Sequence, residues 1–125
     1  MAMTMFPEIG NILKPYATPL TERGLVTMKV DTIIAAVCET WCVERGELLS
    51  DRQSYEYSRP RQAAYLLTKT YTPYSLPVIG LRFNRDHTTV MYGIRKAREL
   101  IETNPKFAAL FAQAEAIIKR TVPHD

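Results

Sequence analysis

Residues 75–98 read S-L-P-V-I-G-L-R-F-N-R-D-H-T-T-V-M-Y-G-I-R-K-A-R, with Asp86-His87-Thr88-Thr89-Val90 at the centre. Locally this is a short apolar helix, a tight polar turn, and a longer helix that opens on small hydrogen-bonding side chains and carries a basic flank. That order is the pattern of a helix-turn-helix DNA reader. Ser75 can cap the first helix, with Pro77 in its first turn and Leu76, Ile79 and Phe83 as apolar positions. Asn84-Arg85 makes the turn, and Asp86 suits the N-cap of the second helix. At about 100° per residue, Val90, Ile94, Ala97 and Ile101 share one side of that helix, while Thr88, Tyr92, Arg95 and Glu99 share the other. One face builds core and the other looks outward.

Upstream, Arg59-Pro60-Arg61-Gln62 opens another helical stretch that continues to Lys69, with Pro60 placed where a first-turn residue needs no N–H. Arginine in a first turn opposes the helix dipole, so Arg59 and Arg61 either hold an anion over free backbone N–H groups or are ordinary solvated side chains. Ser50 to Ser58 reads as a polar loop. Before it, the spacing of Ile33 or Ile34, Val37, Cys38, Trp41 and Cys42 predicts a helix from Lys29, capped by Asp31 and stopped by Gly46, followed by a short turn at Glu47-Leu48-Leu49. Downstream, the helix breaks near Asn104-Pro105, and Lys106 to Lys119 forms a last amphipathic helix.

The 125 residues carry a formal net charge of +3 with 46% apolar side chains, enough for one domain with its own core. The charge is unevenly placed: residues 51–100 hold nine basic and four acidic side chains. A local face for a polyanion follows. Residues 1–27, with Pro7, Pro15 and Pro19, read as an extended arm that could dock on the body or meet a protein partner; residues 28–120 form the domain and 121–125 a tail. Cys38 and Cys42 read as two buried thiols, and with His87 and His124 as the only histidines a metal site is not expected. No apolar run approaches a membrane span and the N-terminus lacks signal-peptide order, so a soluble cytoplasmic protein is expected. The sequence has no G-x-x-x-x-G-K-[ST] loop, and no catalytic triad or cofactor motif stands out; neither an enzyme nor a nucleotide switch is expected.

At the start of the reading helix, His87 and the threonines offer donors, acceptors and a methyl to base edges, and Asp86 can accept from an exocyclic amine if it is not occupied as cap. Periodicity alone is equally satisfied by a capping Asp86 and a packed His87 with no nucleic acid. Taken together, Arg59-Pro60-Arg61-Gln62, Ser75-Leu76-Pro77 with Ile79-Gly80, Arg85-Asp86-His87-Thr88-Thr89-Val90 and Arg95-Lys96 resemble, in order and nearly in spacing, the C-terminal DNA-binding domain of the bacterial replication initiator DnaA, over roughly Lys29 to Ile118. The resemblance implies an all-α helix-turn-helix domain of five to six helices, here as a free-standing module. It implies that Asp86, His87 and Thr88 read bases in the major groove of DnaA-box-like double-stranded DNA. It places Thr89, Arg61, Gln62, Leu76 and Pro77 on the phosphate backbone, to which the local reading adds Arg59, Arg85, Arg95 and Lys96.

Three positions depart from the family pattern. The loop before the R-P-R-Q helix is usually a basic run whose arginine enters the minor groove; here Asp51-Arg52-Gln53-Ser54-Tyr55 stands there, with Gln53 at the arginine position and Arg52 one residue away. Asn84 replaces the usual two glycines of the turn, and Val78 replaces a common Glu. The expected function is regulation of replication initiation or transcription by sequence-specific DNA binding. The competing expectation is a protein-interaction adaptor with a weakened DNA face, motivated by the lost basic loop.

Overall fold

The computed structural model describes residues 29–121, and among them there are six helices and no strand. The expectations for residues 1–27, for the end of the tail and for His124 lie outside the described residues. The helices are α1 (Val30–Trp41), α2 (Arg45–Leu48), α3 (Tyr55–Tyr71), α4 (Leu76–Phe83), α5 (His87–Thr103) and α6 (Pro105–Thr121). The expected all-α helix-turn-helix architecture is present.

The core is assembled from one stripe of each long helix. Ile33, Ile34 and Val37 of α1, Ala63, Ala64 and Leu67 of α3, Ile79 and Phe83 of α4, Val90, Ile94 and Ala97 of α5, and Phe107, Ala114 and Ile118 of α6 are all buried. These side chains recur at spacings of three and four, as helices packed on one side require. Burial of the larger ones stabilises the fold by ~1.5–3 kcal/mol each relative to exposure. Trp41 packs against Phe107 with ring centroids 5.7 Å apart, joining the end of α1 to the start of α6. Tyr71 donates its hydroxyl to Glu115 at 2.7 Å, joining α3 to α6.

Several boundaries differ from the expectation. Asp31 does not cap α1: Lys29 holds the N-cap position, and Asp31 in the first turn pairs with Arg45 at 2.8 Å on the surface. Gly46 does not stop α1 either, because it lies inside α2. The stop is Cys42, which takes the left-handed conformation at φ 59° while the amide of Val43 returns to the Cys38 carbonyl at 3.1 Å. Cys42 is exposed and only Cys38 is partly buried, so the pair is not two buried thiols. Most consequentially, α3 begins at Tyr55 and not at Arg59. Ser54 is its N-cap position and its carbonyl accepts the amides of Tyr57 at 3.0 Å and Ser58 at 2.9 Å. Tyr57 is buried and anchors this extra turn, which the surrounding polar residues conceal in the sequence. Pro60 therefore sits within the helix, where its missing N–H leaves the Glu56 carbonyl without that intrahelical partner.

Candidate nucleic-acid interface

The turn between α4 and α5 fixes the geometry of the outward face. Asn84 closes α4 in the left-handed conformation at φ 56°, and the amide of Arg85 donates to the Gly80 carbonyl at 2.7 Å. Asparagine tolerates this conformation better than most residues, so one Asn makes the bend. Position 80 must be glycine, because a Cβ there would come within 2.4 Å of the Arg85 carbonyl oxygen. A similar demand holds on α5: a Cβ at Gly93 would lie 2.5 Å from the Tyr65 ring. Gly93 thus lets α5 approach α3, while Tyr65 meets Phe83 edge-on at 5.1 Å.

At the start of α5, Asp86 is the N-cap and its Oδ2 accepts the Thr88 amide at 3.2 Å and the Thr88 hydroxyl. These bonds from Thr88, the hydroxyl first and then the amide, hold the Asp86 carboxyl below the usual carboxylate range. Its other oxygen, Oδ1, lies 3.7 Å from His87 Nδ1, too far for a hydrogen bond and free to accept from outside. Asp86 and His87 are exposed and Thr88 is partly so. The cap and the reading role are therefore compatible: one carboxylate oxygen shapes the helix end while the other faces solvent beside His87.

The two flanks of α5 carry different companions. On one side Thr89, Tyr92 and Lys96 line a concavity of about 870 Å³ together with Gln62, Arg61, Arg85 and Gln53. Lys96 approaches Glu99 at 3.3 Å across the surface. On the other side Arg95 and Leu76 line a smaller groove of about 240 Å³ with Lys69, Met91, Ile94 and Arg98. Pro77 is exposed at the start of α4. Lys69 and Arg98 are absent from the sequence expectation, although positions 91, 95 and 98 follow the helical spacing of one flank.

Arg61 occupies a different place from the one its sequence position suggests. Because α3 starts a full turn earlier, Arg59 and Arg61 do not converge on free N–H groups at a helix N-terminus. Arg61 is buried, and its guanidinium donates to the carbonyls of Leu48 at 2.6 Å, Ser50 at 2.7 Å and Glu47 at 3.1 Å, and to that of Arg52. Burial, followed by the neighbouring charge of Arg85, lowers its pKa. Arg85 also donates to the Ser50 carbonyl, so two arginines pin the loop between α2 and α3 to the helix-turn-helix. Arg59 lies over the Tyr55 ring at 4.7 Å and donates to Gln62 Oε1 at 3.1 Å. It also borders a groove lined by Trp41, Lys106 and Phe107, away from the start of α5.

Within the pinned loop, Gln53 faces the large concavity, whereas the Arg52 guanidinium lies 5.8 Å from the centre of the Tyr57 ring. Among the described residues no group of three or more His, Cys, Asp and Glu side chains gathers to hold a metal, and no helix is long and apolar enough to cross a membrane.

A family described as the bacterial DnaA protein helix-turn-helix matches residues 30–97, from the start of α1 into α5. The chromosomal replication initiator protein DnaA of Rhizobium meliloti is 43% identical over 82 residues, covering 65% of this chain and 17% of that protein. The DnaA protein of Rhodopseudomonas palustris is 43% identical over 91 residues, 72% of this chain and 19% of its own length. That of Caulobacter vibrioides is 39% identical over 94 residues, 74% and 18% respectively. The chain thus spans less than a fifth of the length of these relatives. With both glycine-dependent contacts and the D-H-T-T helix start inside the matched residues, the chain belongs to the bacterial DnaA helix-turn-helix family.

Proposed function

We propose that this chain binds double-stranded DNA sequence-specifically at DnaA-box-like sites and so regulates replication initiation or transcription, without hydrolysing a nucleotide itself. The observation that carries the reading is the exposed start of α5, where Asp86 Oδ1, His87 and Thr88 stand beyond the core between two cation-bearing flanks. Asp86, His87 and Thr88 read base edges in the major groove. Gln62, Thr89 and Lys96 meet phosphates on one flank, and Leu76, Pro77 and Arg95 on the other. Arg61 and Arg85 act on the backbone through the loop they hold, Arg59 acts only through its hydrogen bond to Gln62, and Gln53 replaces a minor-groove cation with a neutral side chain.

Titration of a duplex carrying a DnaA-box-like site against a scrambled duplex, over a range of salt, tests this. The expected result is tighter binding to the box and a steep linear fall of log K with log salt, because phosphate contacts release counterions. Equal affinity for the two duplexes would remove the specific reading, and a flat salt dependence would favour an apolar protein contact instead.

A further inference from the structure

We propose that the groove where the end of α1 meets the starts of α3 and α6 is a docking site for the Phe6-Pro7-Glu8 segment of the same chain. The proposal is independent of the reading of α5. The groove measures about 310 Å³ and has an apolar floor. Trp41 and Leu110 are half-buried there and Phe107 is buried beside them. The Trp41 and Phe107 ring centroids are 5.7 Å apart, and Phe107 stacks on Phe111 at 6.2 Å, so one aromatic cluster opens into the groove. The rim carries two cations, Arg59 and Lys106, against one carboxylate, Glu56. Lys106 is exposed, and none of the described ion pairs involves it. The positive end of the α6 dipole adds to that charge. An open apolar floor beside surplus positive charge fits an apolar side chain followed closely by a carboxylate.

Residues 1–28, which precede α1 and lie outside the described residues, supply one such sequence. Their only acids are Glu8 and Glu22. Glu22 is followed by Arg23 and Gly24, whereas Glu8 stands two residues after Phe6. Pro7 disfavours a helical Phe6, and in an extended segment side chains two apart project to the same side. Phe6 then covers Trp41 and Leu110 while Glu8 meets Lys106 and Arg59. The reach is ample. The 12 residues of α1 put the groove ~18 Å from its start. The chain from Glu8 to Lys29 spans up to ~70 Å when extended. A tether of this kind holds the segment at about millimolar local concentration, so a contact too weak to capture a free peptide at micromolar concentration is still occupied.

Trp41 is the only tryptophan in the chain, so its emission reports on the groove directly. The test is acrylamide quenching of Trp41 in the full chain, comparing wild type with Phe6→Ala, Glu8→Lys, Lys106→Glu and the charge swap Glu8→Lys/Lys106→Glu. Positions 6 and 8 lie outside the described helices, and circular dichroism verifies that Lys106→Glu keeps the fold. Phe6→Ala and each single charge reversal should move the emission to longer wavelength and raise the quenching constant. The swap should return both toward their wild-type values, and the wild-type values should not change with protein concentration. Equal quenching in wild type and Phe6→Ala, or a swap that behaves as the sum of its two single changes, would overturn the docking. Protection of Trp41 that grows with protein concentration would also overturn it, because the segment of a second copy would then fill the groove. Phe6→Ala should keep the wild-type ratio of affinities for box and scrambled duplexes, so a failure of DNA recognition is read separately.

Discussion

Arg61 shows how the role of a residue follows from the backbone around it. In the sequence it stands in an R-P-R-Q run and looks like a cation awaiting a phosphate; in the fold it is buried beneath the loop that joins α2 to α3. Replacing it by alanine leaves several carbonyls without donors, each costing ~1–3 kcal/mol if it stays buried. Arg61→Ala should therefore lower stability by about 2–3 kcal/mol in urea unfolding. Arg61→Lys keeps the charge but loses the planar fork that reaches several carbonyls at once, and should recover only part of that loss. In DNA titrations Arg61→Lys should keep the salt slope of wild type while reducing affinity through the displaced loop. Full stability in Arg61→Ala, with a slope flattened by ~0.9, would instead place its guanidinium directly on a phosphate.

At the level of elements, the α4–α5 unit depends on two close approaches. Gly80→Ala would push a methyl group into the Arg85 carbonyl, and because the obstacle is backbone no side chain can swing aside. A loss of ~1–3 kcal/mol in denaturant unfolding, typical of overpacking, is expected. Asn84→Gly, by contrast, should be neutral or slightly stabilising, since glycine takes the left-handed conformation at φ 56° without a steric cost. This unit was legible in the sequence because each local signal agreed: Pro77 at a helix start, a polar bend, Asp86 at a cap, and apolar spacing through Val90, Ile94 and Ala97. The start of α3 was not legible. Its first turn is polar on the surface and fixed by Tyr57, a single buried ring that leaves no period, so Pro60 looked like the beginning. Gly46 misled for a similar reason, as the chain turned at Cys42 through a left-handed residue that carries no sequence signal of its own.

Across the described residues, α6 braces α1, α5 and α3. The Tyr71–Glu115 hydrogen bond is part of that brace, and burial, with the bond to Glu115 second, pushes the Tyr71 pKa up to about 12 from an ordinary 10. Its folded value is raised, so the stabilisation is fully present below the unfolded value and disappears as pH rises from about 10 through about 12. Tyr71→Phe should remove part of the alkaline decline in stability seen by thermal unfolding, while leaving the profile near neutrality unchanged in shape. The site itself was legible only in part: Asp86 caps α5 as the pattern expects, and His87 beside it is exposed. The division of the basic residues into buried braces and open flanks needed the fold, because all of them look alike in one dimension. The central claim is that the start of α5 reads base sequence, and its most direct measurement is the ratio of affinities for a box duplex and a scrambled duplex, compared between wild type and His87→Ala at one salt concentration. A loss of discrimination equivalent to ~1–3 kcal/mol, with binding to the scrambled duplex retained, is the predicted result. An unchanged ratio, or equal weakening on both duplexes, would contradict the account.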